Sequence, residues 1–135
     1  MKTITKQWLE YAKADIIVAK NSLSDKFLTN IVAFHCQQTI EKCFKAIIEE
    51  KSLQFKRTHS LFKLYETIET KMDFDIDESK LEQIDEIYTA SRYPSDLGLM
   101  PNGKPSTNQA EVMYEFAKKV YEKTIIILAD IERKD

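Results

Sequence analysis

His35, Gln38, Lys42 and Lys45 follow one another at intervals of three, four and three residues. On an α-helix that spacing stacks their side chains on one face. An imidazole, a carboxamide and two ammonium groups in one ladder offer donors and positive charge to a phosphate or to a partner's carboxylate. An ordinary solvated face explains the same residues if Glu41 pairs with Lys45 and Lys42 with Glu49. Ile31 and Phe34 share this arc, which a purely solvated face would not carry. They predict burial against another helix, in this chain or in a second copy. A second candidate is Ser91-Arg92-Tyr93-Pro94-Ser95-Asp96. An arginine at a helix end, followed by an aromatic and a proline-fixed turn, presents its guanidinium rigidly for bidentate contact with phosphate or carboxylate. Tyr93 adds a surface on which a base stacks. The competing role for Arg92 is as a dipole partner or in an internal salt bridge, for example to Asp96. Arg57-Thr58-His59 reads as a helix cap with a nearby base.

Other chemistries find little support. The two histidines sit beside no serine or cysteine in a triad or elbow pattern, so no catalytic residue is assigned. No His pair at i,i+4 is present, and neither a metal nor a cofactor is called for. Cys36 and Cys43 lie seven apart, which on a helix is about 10.5 Å and too far for a mutual disulfide. They read as buried small hydrophobes.

The elements that must position these groups are helices. Trp8, Ala12, Ile16 and Ala19 mark a first helix from about Thr5 to Ser22, with Leu9 and Leu23 near the stripe. A second, from about Leu28 to Lys51, has Val32, Ala33, Cys36, Ile40, Cys43, Phe44 and Ile47 on a broad apolar arc, opposite the ladder. Thr58 is the expected N-cap of a third helix through Glu69, with Leu61, Leu64, Tyr65 and Ile68 inward. Asp75 with Glu78 opens a fourth, using Leu81, Ile84, Ile87 and Tyr88 and ending at Tyr93 before Pro94. Ser106 with Gln109 forms a capping box for a last helix from about Thr107 to Arg133. Its expected core face is Val112, Phe116, Val120, Ile127 and Ile131, with Tyr121, Ile125 and Leu128 close by.

Composition agrees. The chain has 135 residues with two Gly and three Pro, all five between Pro94 and Pro105. So few glycines cannot build a dinucleotide fingerprint or a phosphate loop, and so few breakers exclude a sandwich or barrel. The expected fold is all-α, an up-and-down bundle of four to five helices in one domain, residues 1–135. The net charge of −2 excludes a strongly basic nucleic-acid footprint overall. Locally, residues 1–63 carry 11 basic and 6 acidic side chains, whereas residues 64–92 carry 3 and 9. No apolar run approaches a bilayer span and no leader is visible, so the expected location is cytoplasmic.

Phe34 to Leu64, FHCQQTIEKCFKAIIEEKSLQFKRTHSLFKL, resembles the signature of HEPN domains (higher eukaryotes and prokaryotes nucleotide-binding). The pattern is His-x-x-Gln and Glu-Lys-x-x-Lys-Ala on one helix, then Thr-His-x-Leu opening the next. SRYPSD, Ser91 to Asp96, is similar to the Arg-Tyr-Pro element of one branch, and the Trp8 to Asp15 opening fits as well. The resemblance implies a helical bundle that is usually a homodimer. It also implies RNA cleavage, nucleotide or RNA binding, or partnership with a minimal nucleotidyltransferase in a toxin–antitoxin pair. Ribonuclease members carry Arg-x(4–6)-His. Here Leu97, Gly98 and Leu99 occupy that span after Arg92, and His59 follows Arg57 by only two residues. The expectation is therefore a non-catalytic protein that binds a nucleotide, RNA or a minimal nucleotidyltransferase. Its contacts would be His35, Gln38, Lys42, Lys45, Arg92 and Tyr93, with no membrane association. The alternatives are a metal-independent ribonuclease using His35 or His59, and a purely structural helical dimerisation module.

Overall fold

A computed structural model describes residues 1–92 and 104–134. It contains five α-helices: α1 Thr3–Ser22, α2 Thr29–Glu50, α3 Leu61–Glu69, α4 Glu78–Arg92 and α5 Thr107–Lys134. A single 3-10 turn, Lys26–Leu28, leads from α1 into α2, with the Asp25 side chain accepting from the Phe27 N–H. The domain is an all-α bundle, as expected.

α2 is the central element. It packs against α1, α3, α4 and α5, which explains why both of its arcs are covered. The expected apolar arc, Val32, Ala33, Cys36, Ile40, Cys43, Phe44 and Ile47, is buried throughout. Full burial of each large apolar side chain here contributes about 1.5–3 kcal/mol relative to exposure. Phe44 anchors an aromatic group with Tyr65 and Phe74, ring centroids 6.0–6.2 Å apart. The Tyr65 hydroxyl donates to the Phe74 carbonyl at 2.6 Å, so its polar end is satisfied inside the core.

α1 runs antiparallel to α2. Lys2 at its start reaches Glu49 and Ser52 at the end of α2, and Asp15 lies beside His35 and Lys42 further back. α2 ends in a Schellman turn. Ser52 has φ of 52°, its N–H bonds Glu49 O, and the Leu53 N–H bonds Ile48 O. The chain then turns back along α2 until His59 sits beside Gln37 and Glu41. Gln37 lies 13 residues before Glu50, a rise of roughly 20 Å. Seven or eight extended residues cover that distance at about 3.3 Å each.

Three local expectations change. Ser60, not Thr58, caps α3. Its Oγ accepts from the Lys63 N–H, while the Thr58 hydroxyl accepts from the Ser60 N–H one turn early. The Asp85 carboxylate, from α4, covers the Leu61 and Phe62 N–H groups that follow. α4 opens on Asp77 rather than Asp75, since Asp77 Oδ1 accepts from the N–H and hydroxyl of Ser79. The α5 capping box forms as expected: Ser106 N–H to Gln109 Oε1 at 2.7 Å, Gln109 N–H to Ser106 Oγ at 3.0 Å. On α5 Val120 and Leu128 are buried as expected and Phe116, Ile127 and Ile131 are half-buried, but the rest of the buried face is Ala110, Met113, Tyr114, Ala117 and Thr124, with Val112 exposed. Small residues let α5 approach α2 closely. Thr124 is tolerated there because its hydroxyl donates to the Val120 carbonyl at 2.7 Å.

Candidate functional site

The ladder on α2 is covered rather than solvated. Its charges are met at two buried carboxylates, Asp15 on α1 and Glu41 on α2 itself, which His59 of the α2–α3 loop also approaches. The first is Asp15 on α1, which follows Ala12 by three and precedes Ile16 and so falls at the edge of the buried stripe. His35 Nδ1 lies 2.7 Å from Asp15 Oδ1, and Lys42 Nζ donates to Oδ2 at 2.5 Å. Lys42 thus pairs with Asp15 and not with Glu49. Its ammonium also lies 6.0 Å from the Tyr11 ring centroid.

The second carboxylate is Glu41 itself, with a side chain only 5% exposed. Its Oε2 accepts from Lys45 Nζ at 3.1 Å, and its Oε1 faces His59 Nδ1 at 3.1 Å. Gln37, fully buried, donates to Glu41 Oε1 and to the His59 carbonyl, and accepts from Gln38 Nε2 at 2.8 Å. A charge buried this deeply is stable only when paired and hydrogen-bonded, and Glu41 has both. Asp85 extends the polar region to the N-terminus of α3. Burial pushes its carboxyl above the usual carboxylate range, the nearby Glu41 charge adds to that, and the bonds from Leu61, Phe62 and Ser60 oppose it.

Where the loop returns past α2, a cleft of about 400 Å³ opens. Trp8 and Phe55 supply aromatic walls, Lys45, Arg57 and His59 supply nitrogen donors, and Glu49 supplies an acceptor. Lys45 Nζ stands 5.3 Å from the Trp8 ring centroid, which holds the ammonium at the cleft wall. The His59 side chain is 73% exposed. An aromatic-lined recess edged with cations suits a ligand that joins a planar ring to an anion.

Of the residues expected to form a site, Lys45 lines this cleft. His35 and Lys42 meet on Asp15, and Gln38 is bound to Gln37. The Arg92 side chain and Tyr93 lie outside the described residues. Phe34 stacks its ring on Tyr88 of α4 at 5.8 Å but stays exposed, so the expected burial is not reached. Sequence reasoning missed Trp8, Phe55, Arg57 and His59 as one group, having placed Trp8 in the core and Arg57-Thr58-His59 in a cap. The available signal was an aromatic, two cations and an imidazole within Phe55 to His59. Cys36 and Cys43 take no part: both are buried, and burial pushes each thiol up to about 12. Among the described residues no group of three or more His, Cys, Asp or Glu could hold a metal, and no helix is long and apolar enough to cross a membrane.

These features define an all-α bundle whose central helix meets two buried carboxylates, Asp15 of α1 and its own Glu41, each paired with a histidine and a lysine. The chain belongs to the HEPN domain family, whose model matches residues 5–127. Three crystal structures share the fold. An archaeal HEPN homologue, ST0689, is 22% identical with a TM-score of 0.68, over 92% of this chain and 96% of its own. TT1696 from Thermus thermophilus is 19% identical with a TM-score of 0.69, over 91% and 97%. A HEPN domain protein from Thermotoga maritima is 22% identical with a TM-score of 0.59, over 96% and 99%. No curated protein matches the chain by sequence.

Proposed function

We propose that this HEPN domain binds a nucleotide, free or as part of RNA, in the cleft beneath the α2–α3 loop. The observation that carries the reading is the convergence of Trp8, Phe55, Lys45, Arg57 and His59 from three separate parts of the chain. Stacking on an aromatic face contributes roughly 1–3 kcal/mol per base. Arg57 and Lys45 supply the cations that a phosphate requires. His35, Gln38 and Lys42 enter as residues that extend contact along α2 for a ligand longer than one nucleotide, and Arg92 and Tyr93 as further contacts proposed on the sequence alone. The test is nucleotide-dependent thermal stabilisation measured with adenosine monophosphate and a short single-stranded RNA. Arg57→Ala with Phe55→Ala, both at the surface, removes the stabilisation and leaves far-UV circular dichroism unchanged. An undiminished shift in that double variant refutes the site.

A protein partner is the second reading, favoured by the outer face of α1. Ile4, Tyr11 and Val18 recur every seven residues there and all three are exposed. Such a seam fits a second copy of the chain or the minimal nucleotidyltransferase that the family resemblance implies. Light scattering of Tyr11→Asp tests the homodimer: an oligomer mass equal to that of the parent protein rules out this seam.

A further inference from the structure

We propose that the extended segment 54–58 is a docking edge for another protein, which adds a β-strand with carboxylates at every second position. The inference goes beyond the nucleotide reading and uses the opposite side of the α2–α3 loop.

The segment has the two features of a sheet edge. Its side chains alternate: Phe55, Arg57 and His59 line the cleft beside Trp8, Gln54 and Lys56 line a separate groove, and Thr58 borders both. This is the two-residue period of an extended chain. With side chains directed to the two flanks, the main-chain N–H and C=O groups point towards the bundle and out to solvent. Among the described residues, none of those groups from 54 to 58 takes part in a hydrogen bond. Main-chain bonding resumes at the flanks, where the Leu53 N–H reaches Ile48 O and the His59 carbonyl accepts from Gln37 Nε2. The flanks hold the segment while its middle keeps a free edge. The connector between α3 and α4 is different. There the Tyr65 hydroxyl donates to the Phe74 carbonyl and accepts from the Ile76 N–H, and Lys123 donates to the Asp75 carbonyl. An unpaired row of alternating donors and acceptors is a template for strand addition.

The groove sets the chemistry of the partner. It encloses about 910 Å³ between the segment and α3, and Lys56, Lys63 and Lys71 line it with Glu66 as the one acidic side chain. Lys42 and Lys45 are paired with carboxylates, whereas none of these three lysines is in an ion pair among the described residues. A strand added about 4.8 Å above the segment directs every second side chain towards the groove. Carboxylates at those positions meet the lysines, which sets specificity and speeds encounter. A nucleic-acid strand matches the edge poorly, because phosphodiester oxygens only accept and leave the outward carbonyls without donors. The chain's own alternating acidic run, Asp73-Phe74-Asp75-Ile76-Asp77, has Phe74 buried and its carbonyl already bonded. A folded second copy therefore cannot donate that run. The occupant is an acidic extended segment of a different protein.

The experiment titrates the full chain with the capped peptide Glu-Val-Glu-Val-Glu-Val-Glu, measures binding by calorimetry and reads amide hydrogen exchange by NMR. The peptide binds and slows exchange at alternate residues, either Gln54, Lys56 and Thr58 or Phe55 and Arg57, because every second residue of a ladder faces a given neighbour. The counterpart with lysine in place of glutamate does not bind. Lys56→Glu/Lys63→Glu, at two exposed positions, raises Kd by roughly 10-fold or more. Neither lysine lines the nucleotide cleft, so stabilisation by adenosine monophosphate is retained in that variant, and failure of one reading is separable from failure of the other. No binding at about 1 mM peptide overturns the proposal. Binding without alternating protection, or equal binding of the lysine counterpart, overturns it as well. A short single-stranded RNA that protects the same amides assigns the edge to nucleic acid and refutes a protein occupant. Protection already present in the protein alone, at a dimer mass by light scattering, assigns it to a second copy and does the same.

Discussion

Replacing Asp15 by alanine removes the one acceptor that holds α1 to the polar arc of α2. Lys42, with 21% of its side chain exposed, and His35, with 24%, both lose their partner. Breaking a fully buried pair from one side costs about 3–5 kcal/mol. Lys42 keeps about a fifth of its surface in water, so the expected loss here is nearer to 2–3 kcal/mol, discounted for that solvation. For a domain of this size the loss lowers Tm by roughly 6–12 °C. Urea denaturation followed by circular dichroism measures the free energy directly, and Asp15→Leu, Lys42→Met and Asp15→Leu/Lys42→Met form a double-mutant cycle beside it. The double variant, which replaces the pair by apolar side chains, returns to within about 1 kcal/mol of the parent protein. A loss below about 0.5 kcal/mol in Asp15→Ala is the behaviour of an exposed surface pair. It would refute the claim that packing of α1 on α2 buries the ladder.

Three further outcomes are expected. Asp85 has a carboxyl raised by burial, so the folded state holds a proton that the unfolded state has already released. Its contribution to stability is therefore full below the ordinary carboxylate range near pH ~3.9 and falls as pH rises through the raised folded value. Asp85→Asn should gain stability relative to the parent as pH rises from about 4 towards neutrality, and a pH-independent difference in urea midpoint contradicts this. Glu50 behaves oppositely: the Lys2 N–H, with the Thr5 hydroxyl and nearby positive charge, lowers its carboxyl below the usual 4.5. Its stabilisation is present above that value and is lost as pH falls through the folded one. Glu50→Gln should accordingly flatten the acid limb of the stability profile below pH ~4.5, and an unchanged limb argues against the contact. Cys36 and Cys43, each held at about 12 by burial, should resist a disulfide reagent at about pH 8 until the chain unfolds. Rapid labelling of the native protein would contradict their burial.

Much of the fold is legible in the chain because helical structure is a local property. The clustering of every Gly and Pro between Pro94 and Pro105 leaves the rest free to form helices, and the period of α2 identifies its buried arc without reference to any neighbour. The Ser106–Gln109 box likewise needs only three residues of spacing. Rotation of a helix about its axis is less local. On α5 the largest apolar residues suggest a stripe through Val112 and Phe116, yet Ala117 and Thr124 are buried and Val112 is not. Close approach between helices selects small side chains, and a count of hydrophobic residues does not register that selection.

The candidate site divides in the same way. The amino-acid sequence by itself determined an all-α domain, a polar ladder of His35, Gln38, Lys42 and Lys45 on its second helix, and the resemblance that placed it among HEPN domains. The i,i+4 spacing also gave the Glu41–Lys45 pair, whereas only the tertiary structure brought Asp15 to His35 and Lys42 and His59 to Glu41. Only it showed that the loop after Ser52 runs back far enough to set Arg57 and His59 beside Lys45 and Trp8. The physical reason is that periodicity reports which residues share a face, whereas burial depends on what covers that face. α2 has neighbours on both sides, so its polar arc keeps the pattern of a solvated surface while its half-buried cations are paired with buried carboxylates.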